Sequence, residues 1–160
     1  MGKILFIAFV CMLAACAPDK PKTEGEDGSN HEKNESPVIE AAEQATDINK
    51  GIGQIQNVAL HTPIEQERAS RGKAISEMKC QACHRMDEKR IVGPGWKGVT
   101  QRRKPEWIMN MILNVEVMLD KDPEAQKLLE LCLTRMPNQN VSIGDARDIL
   151  EYMRANDGEK

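Results

Sequence analysis

The run Cys80-Gln81-Ala82-Cys83-His84 constrains this chain more than any other stretch. Two cysteines three residues apart fall on one helical turn, so both sulfurs face the same side and the following histidine presents an imidazole beside them. This is the attachment signature of c-type haem: two thioethers to the vinyl groups of one porphyrin, and a proximal histidine for its iron. Two other chemistries use Cys-x-x-Cys. A thioredoxin-like pair needs a βαβ setting, and no such setting follows the motif. A zinc site needs a second Cys or His pair, and beyond the N-terminal cysteines only Cys132, His31 and His61 are on offer. The sequence therefore predicts one haem c bound covalently through Cys80 and Cys83, with His84 as an axial iron ligand.

The N-terminus predicts export. Met1-Gly2-Lys3 is a short basic segment, and Ile4 to Ala15 is an apolar run too short to span a bilayer. It ends in Leu13-Ala14-Ala15-Cys16, which resembles a bacterial lipobox, whose cysteine becomes the lipidated first residue. Residues 1–15 thus read as a lipoprotein signal peptide and Cys16 as the lipidation site. The implied location is the cell envelope, on a lipid anchor facing the periplasm or the outside. With Cys11 removed in the signal peptide, Cys16 acylated, and Cys80 and Cys83 in thioethers, only Cys132 stays free. No structural disulfide within the chain is then available.

Residues 16–50 read as a linker. From Ala17 to Lys50 there are four Lys against nine Asp or Glu and no aromatic residue. Such a segment buries too little apolar surface to offset its ordering entropy, so it is expected to be a disordered acidic tether. Apolar residues return in Ile52, Ile55, Val58 and Leu60, an extended arm into one domain spanning residues 51–160. That domain has a small core, and the 3% aromatic content leaves few large side chains to fill it. A bound haem would supply much of the missing bulk.

The coarse reading of the domain is all-α. A first helix runs from about Pro63 to Lys79 straight into the motif. A second carries Pro105 in its first turn and Ile108, Met111, Ile112, Val115 and Met118 on one face. A third starts at Asp122-Pro123 with the stripe Ala125, Leu128, Leu129, Cys132. The last is announced by Ser142 and Asp145 as a capping box, followed by Ala146, Ile149, Leu150 and Met153 at helical spacing.

Gly72-Lys73-Ala74-Ile75, the Cys80–His84 motif, Gly93-Pro94-Gly95-Trp96-Lys97-Gly98, Met136-Pro137 and Asp148-Ile149-Leu150-Glu151-Tyr152-Met153 occur in the order seen in class I c-type cytochromes. Over roughly residues 65–156 the chain resembles that family, which implies its fold: helices around one covalently attached haem. The resemblance implies Met136 as the second axial ligand, a soft thioether that raises the potential relative to bis-histidine ligation. It implies that the Pro94 carbonyl holds the other N–H of His84, that Trp96 lies against the porphyrin, and that Arg102 faces a haem propionate. The family usually has an aromatic residue near Ser76, so the contact between first and last helices is expected to be thinner here.

The function that follows is a membrane-anchored electron carrier rather than an enzyme. It would shuttle single electrons between respiratory donors and an exported reductase or terminal oxidase, with no small-molecule substrate and no nucleic acid. The alternative is a haem peroxidase or gas sensor with a displaceable methionine. From Lys79 to Lys104 there are eight basic and two acidic residues, so redox partners are expected to dock an acidic surface onto this face.

Overall fold

The capping pair Ser142 and Asp145 starts one of the two longest helices in the computed structural model, which describes residues 48–160. The expectations for residues 1–15, for Cys16 and for the linker up to residue 47 lie outside the described residues. The Asp145 amide donates to the Ser142 hydroxyl at 3.0 Å, and the Ser142 amide donates back to the Asp145 carboxylate at 3.3 Å. Among the described residues there are six α-helices, in the order α1 Gln66–Lys79, α2 Val99–Arg102, α3 Pro105–Leu113, α4 Val115–Lys121, α5 Pro123–Cys132 and α6 Ile143–Asn156. No strand occurs among the described residues, only an isolated bridge between His84 and Arg90.

Helix α6 buries Ala146, Ile149, Leu150 and Met153, the stripe read from the sequence. It crosses α1 at Gly72, where any Cβ would overlap the Asp148 carbonyl, so only glycine permits this backbone approach. Arg68 and Arg71 then clasp the Asp148 carboxylate at 2.8 and 2.6 Å. The expected thinning at Ser76 is therefore offset by close backbone contact and ion pairs, with Ser76 itself fully buried.

The segment before α1 is fastened rather than loose. Glu151, with 0% exposure, pairs with Arg147 and with Arg154 at 2.7 Å, and accepts from the Glu65 amide at 3.3 Å. Arg147 and Arg154 also donate to the carbonyls of Ala59 and His61. Burial alone would raise the Glu151 pKa, but the two guanidiniums outweigh it and hold the carboxyl below its usual range.

Further back, Ile48–Lys50 forms a 3-10 turn, so regular structure begins ahead of Gly51. Buried Asn110 on α3 donates to the carbonyls of Lys50 and Ile55 and accepts from the Ile55 amide at 3.1 Å, gripping the arm like an added strand. Gly51 has φ +71°, and a Cβ there would stand 2.8 Å from the Met118 methyl. The arm also explains why the single helix expected through Met118 is two. It breaks at Asn114 (φ −133°, ψ 40°), whose side chain donates to the Ile52 carbonyl.

Candidate haem site

At the end of α1 the chain turns tightly. The amides of Cys83 and His84 both donate to the Cys80 carbonyl, at 3.0 and 2.9 Å, so the motif is one helical turn as its spacing requires. Cys80, Cys83 and His84 line a cavity of about 220 Å³, whose opposite contributions come from α3 (Ile108, Met111, Ile112), α5 (Leu128, Leu129, Cys132) and the loop carrying Met136. Pro94, Trp96 and Arg102 line it too. All the predicted residues of the domain are thus brought to one place, and Cys16 lies outside the described residues.

The imidazole is held from three sides. Nδ1 of His84 lies 2.8 Å from the Pro94 carbonyl, which only accepts, so Nδ1 carries the proton and Nε2 keeps its lone pair. Gly93 presses on the ring: a Cβ there would sit 2.7 Å from Nδ1. Trp96, 7% exposed, tilts against it with ring centroids 5.3 Å apart. Burial lowers the His84 pKa, partly countered by the Pro94 hydrogen bond, which favours the neutral, metal-binding form. Burial likewise raises the Cys80 thiol, with Lys79 acting in the opposite direction.

These residues fit a haem. Two thiols free of any disulfide and a neutral, oriented imidazole line one side of an apolar cavity, and Met136 lines it from the other. Among the described residues no three His, Cys, Asp or Glu side chains converge as a metal cluster, so none of them gives the motif zinc-like partners.

Several contributors were not read from the sequence. Asp157, just past α6, accepts from the Gly98 amide (2.5 Å), the Thr100 amide (2.9 Å) and the Thr100 hydroxyl (2.7 Å), while Asn156 donates to the Met86 carbonyl. The loop bearing Pro94 and Trp96 is therefore pinned at both ends by the end of α6. Trp107 and Arg103 also line the cavity. Trp107 donates to buried Asp122, the N-cap of α5, and Arg103 lies 4.7 Å over the Trp107 ring. Arg102 is exposed and donates to the Lys97 carbonyl at 2.7 Å. Cys132, expected as a core residue, is half-buried on the cavity wall. Of the eight basic residues in 79–104, Arg85, Lys97 and Arg103 are paired with Asp87, Glu88 and Glu124.

An all-helical shell that folds a Cys-x-x-Cys-His turn onto one apolar cavity defines a class I, single-haem electron-transfer fold. The chain belongs to the cytochrome c family, whose model matches residues 69–157, and the haem c of that family is bound covalently at such a motif. It is 36% identical to the cytochrome c from Rhodothermus marinus, with a TM-score of 0.66 over 69% of this chain and 94% of that one. An engineered cytochrome c from the same organism gives 34% identity and a TM-score of 0.65, covering 69% and 95%. The cytochrome c-553-like protein of Synechocystis sp. is 31% identical over 65 residues. That match takes in 39% of this chain and 62% of the relative's length.

Proposed function

We propose that this cytochrome c domain is a membrane-anchored electron carrier, lipidated at Cys16, that passes single electrons from respiratory donors to an exported reductase or terminal oxidase. The observation that carries the reading is the donor set of one cavity: His84 with Nδ1 committed to Pro94 and Nε2 available, and Met136 in the lining contributed from the opposite side. When bound, haem c supplies a ferric–ferrous one-electron couple. Cys80 and Cys83 hold it by thioethers, and His84 is fixed in tautomer and orientation by Pro94, Gly93 and Trp96. Met136 offers a soft thioether that favours reduced iron. The apolar side chains of α3 and α5 exclude water, and Arg102 and Arg103, which also line the cavity, would supply positive charge for the propionates. With both His84 and Met136 as ligands no iron position would remain for a substrate, which favours electron transfer over the peroxidase or gas-sensing alternative.

Partner docking follows from what surrounds the cavity. Lys79 and Arg135 line it, Arg90 donates to the Leu131 carbonyl beside it, and Ile91, Val92 and Leu131 are exposed large apolar residues. Cations around an apolar patch fit a redox protein whose own patch is rimmed by carboxylates.

Met136→Ala tests the ligand assignment: the ferric protein should lose its long-wavelength sulfur-to-iron band and gain carbon monoxide binding when reduced. Persistence of the band would assign the ligand to another methionine. Cys16→Ser tests the anchor, and should give a chain that carries no acyl group by mass spectrometry. Acylation surviving that change removes the lipobox reading.

A further inference from the structure

Helix α3 stands between two neighbours. Glu106, Asn110 and Asn114, four apart along α3 and its C-cap, hold the arm of residues 50–58. Trp107, Ile108, Met111 and Ile112 of the same helix line the haem cavity. At about 3.6 residues per turn these two sets are adjoining stripes, so whatever fixes the first fixes the second. The grip on the arm is mostly buried. Asn110, 0% exposed, meets the Lys50 and Ile55 carbonyls and the Ile55 amide with one side chain. Glu106 accepts from the Val58 amide at 3.2 Å, and the Met118 sulfur accepts from the Ile52 amide at 3.0 Å. A Cβ at Gly51 would stand 3.1 Å from the Trp107 indole, so that ring has the arm on one side and the cavity on the other.

The loop carrying Met136 is tied at the surface, by Lys79 to the Gln139 carbonyl and by Arg135 to Asp120. Met136 itself packs against the buried cluster that includes Ile108, Met109 and Ile112 of α3. His84 is oriented by the Pro94 carbonyl, whereas a thioether is placed by the wall behind it. Ligand geometry is kept only when its supporting shell is held to within about 0.5 Å.

We propose that the arm clamps α3 from outside so that this helix seats Met136 against the haem, with Asn110 as the positioning residue. The arm is then part of the distal ligand's support, and its release makes that ligand displaceable.

Gly53→Ala tests the clamp from the arm's side, because its Cβ would run into the Asn110 side-chain oxygen while α3 keeps its own sequence. In the haem-loaded protein the Ile52 and Ile55 amides should exchange about tenfold faster, the scale of one lost hydrogen bond. The sulfur-to-iron band should fade below the unfolding midpoint, and the ferrous protein should take up carbon monoxide about tenfold faster. Asn110→Asp, which turns an oxygen toward the Lys50 and Ile55 carbonyls, should do the same. Asp148→Asn weakens the clasp between α1 and α6, and should lower the unfolding midpoint while the band persists until the protein unfolds. Faster arm exchange with band and carbon monoxide uptake unchanged overturns the proposal, leaving the arm a structural strap. Unchanged exchange in both arm variants, or equally early loss of the band in Asp148→Asn, overturns it too. The inference rests on Met136 as the iron ligand, yet the two fail separately. The band reports any methionine sulfur on the iron, so Met136→Ala that keeps the band unseats that ligand while Gly53→Ala still reads the clamp.

Discussion

The two halves of the domain are closed by different means. Where α1 crosses α6, the chain completes itself. Gly72 lets the backbones meet, Asp148 is clasped by Arg68 and Arg71, and the buried Glu151–Arg154 pair ties residues 59–65 to the same helix. Around the cavity the chain stops short. Met111, Leu128, Leu129, Cys132 and Met136 are apolar or nearly so, yet each is only partly buried. The difference shows which half is specified by protein atoms alone and which is finished by the prosthetic group. A chain with 3% aromatic residues lacks the large side chains to fill that space unaided.

The comparison breaks most decisively if attachment is removed. A Cys80→Ala, Cys83→Ala chain should lose fixed tertiary packing, because each of several cavity residues forgoes roughly 1.5–3 kcal/mol of burial against a total stability of about 5–15. Near-ultraviolet circular dichroism should collapse while part of the helical signal remains. A cooperative, native-like unfolding transition in that variant would show that the cavity half closes without help. The next largest effect belongs to the self-sufficient half. Glu151→Ala leaves buried Arg154 with only the surface carboxylate of Glu159 and should cost about 3 kcal/mol in denaturant unfolding, the low end for a broken buried pair, with the haem spectrum unchanged.

The same half sets the acid limit. For Asp148, as for Glu151, burial pushes the pKa up but paired arginines win, so both folded values lie below the unfolded ones. Their stabilisation is complete above the unfolded values near pH 4 and is lost as pH falls through the folded ones. Thermal midpoints measured downward from pH 5 should therefore drop, and Glu151→Gln should flatten the slope. The smallest effect sharpens the contrast. Asp157→Ala should cost only about 1–2 kcal/mol, yet it frees the loop that seats His84 and should shift the midpoint potential. Asp157→Glu should partly restore it. A stability loss with no change in potential would reduce Asp157 to a structural role.

Legibility in the sequence followed locality. The motif turn, the α6 capping box and the α5 start at Asp122-Pro123 are decided by residues within four positions of one another, and each is where the pattern put it. Cys80, Cys83, His84, Pro94, Trp96, Arg102 and Met136 share a cavity because family landmarks recur in order. What stayed hidden depends on distant partners. Asn114 breaks the expected long helix by bonding Ile52, 62 positions away. Asp157 reaches back 59 positions to Gly98, and Arg154 reaches 93 to His61. A polar residue at a helix end carries no local mark of the loop it will hold, and Trp107 beside Ile108 reads as one more apolar residue until Asp122 claims its indole.

The reach of Asp157 has a consequence in time. A polypeptide leaves the ribosome from its N-terminus, so Gly98 emerges 59 residues before the carboxylate that fastens it. Until Asp157 has emerged, the loop behind the Cys80–His84 turn has no latch from α6. The loop can be fastened this way only once α6 and the residue after it have been made, so the order of the chain sets the order of closure.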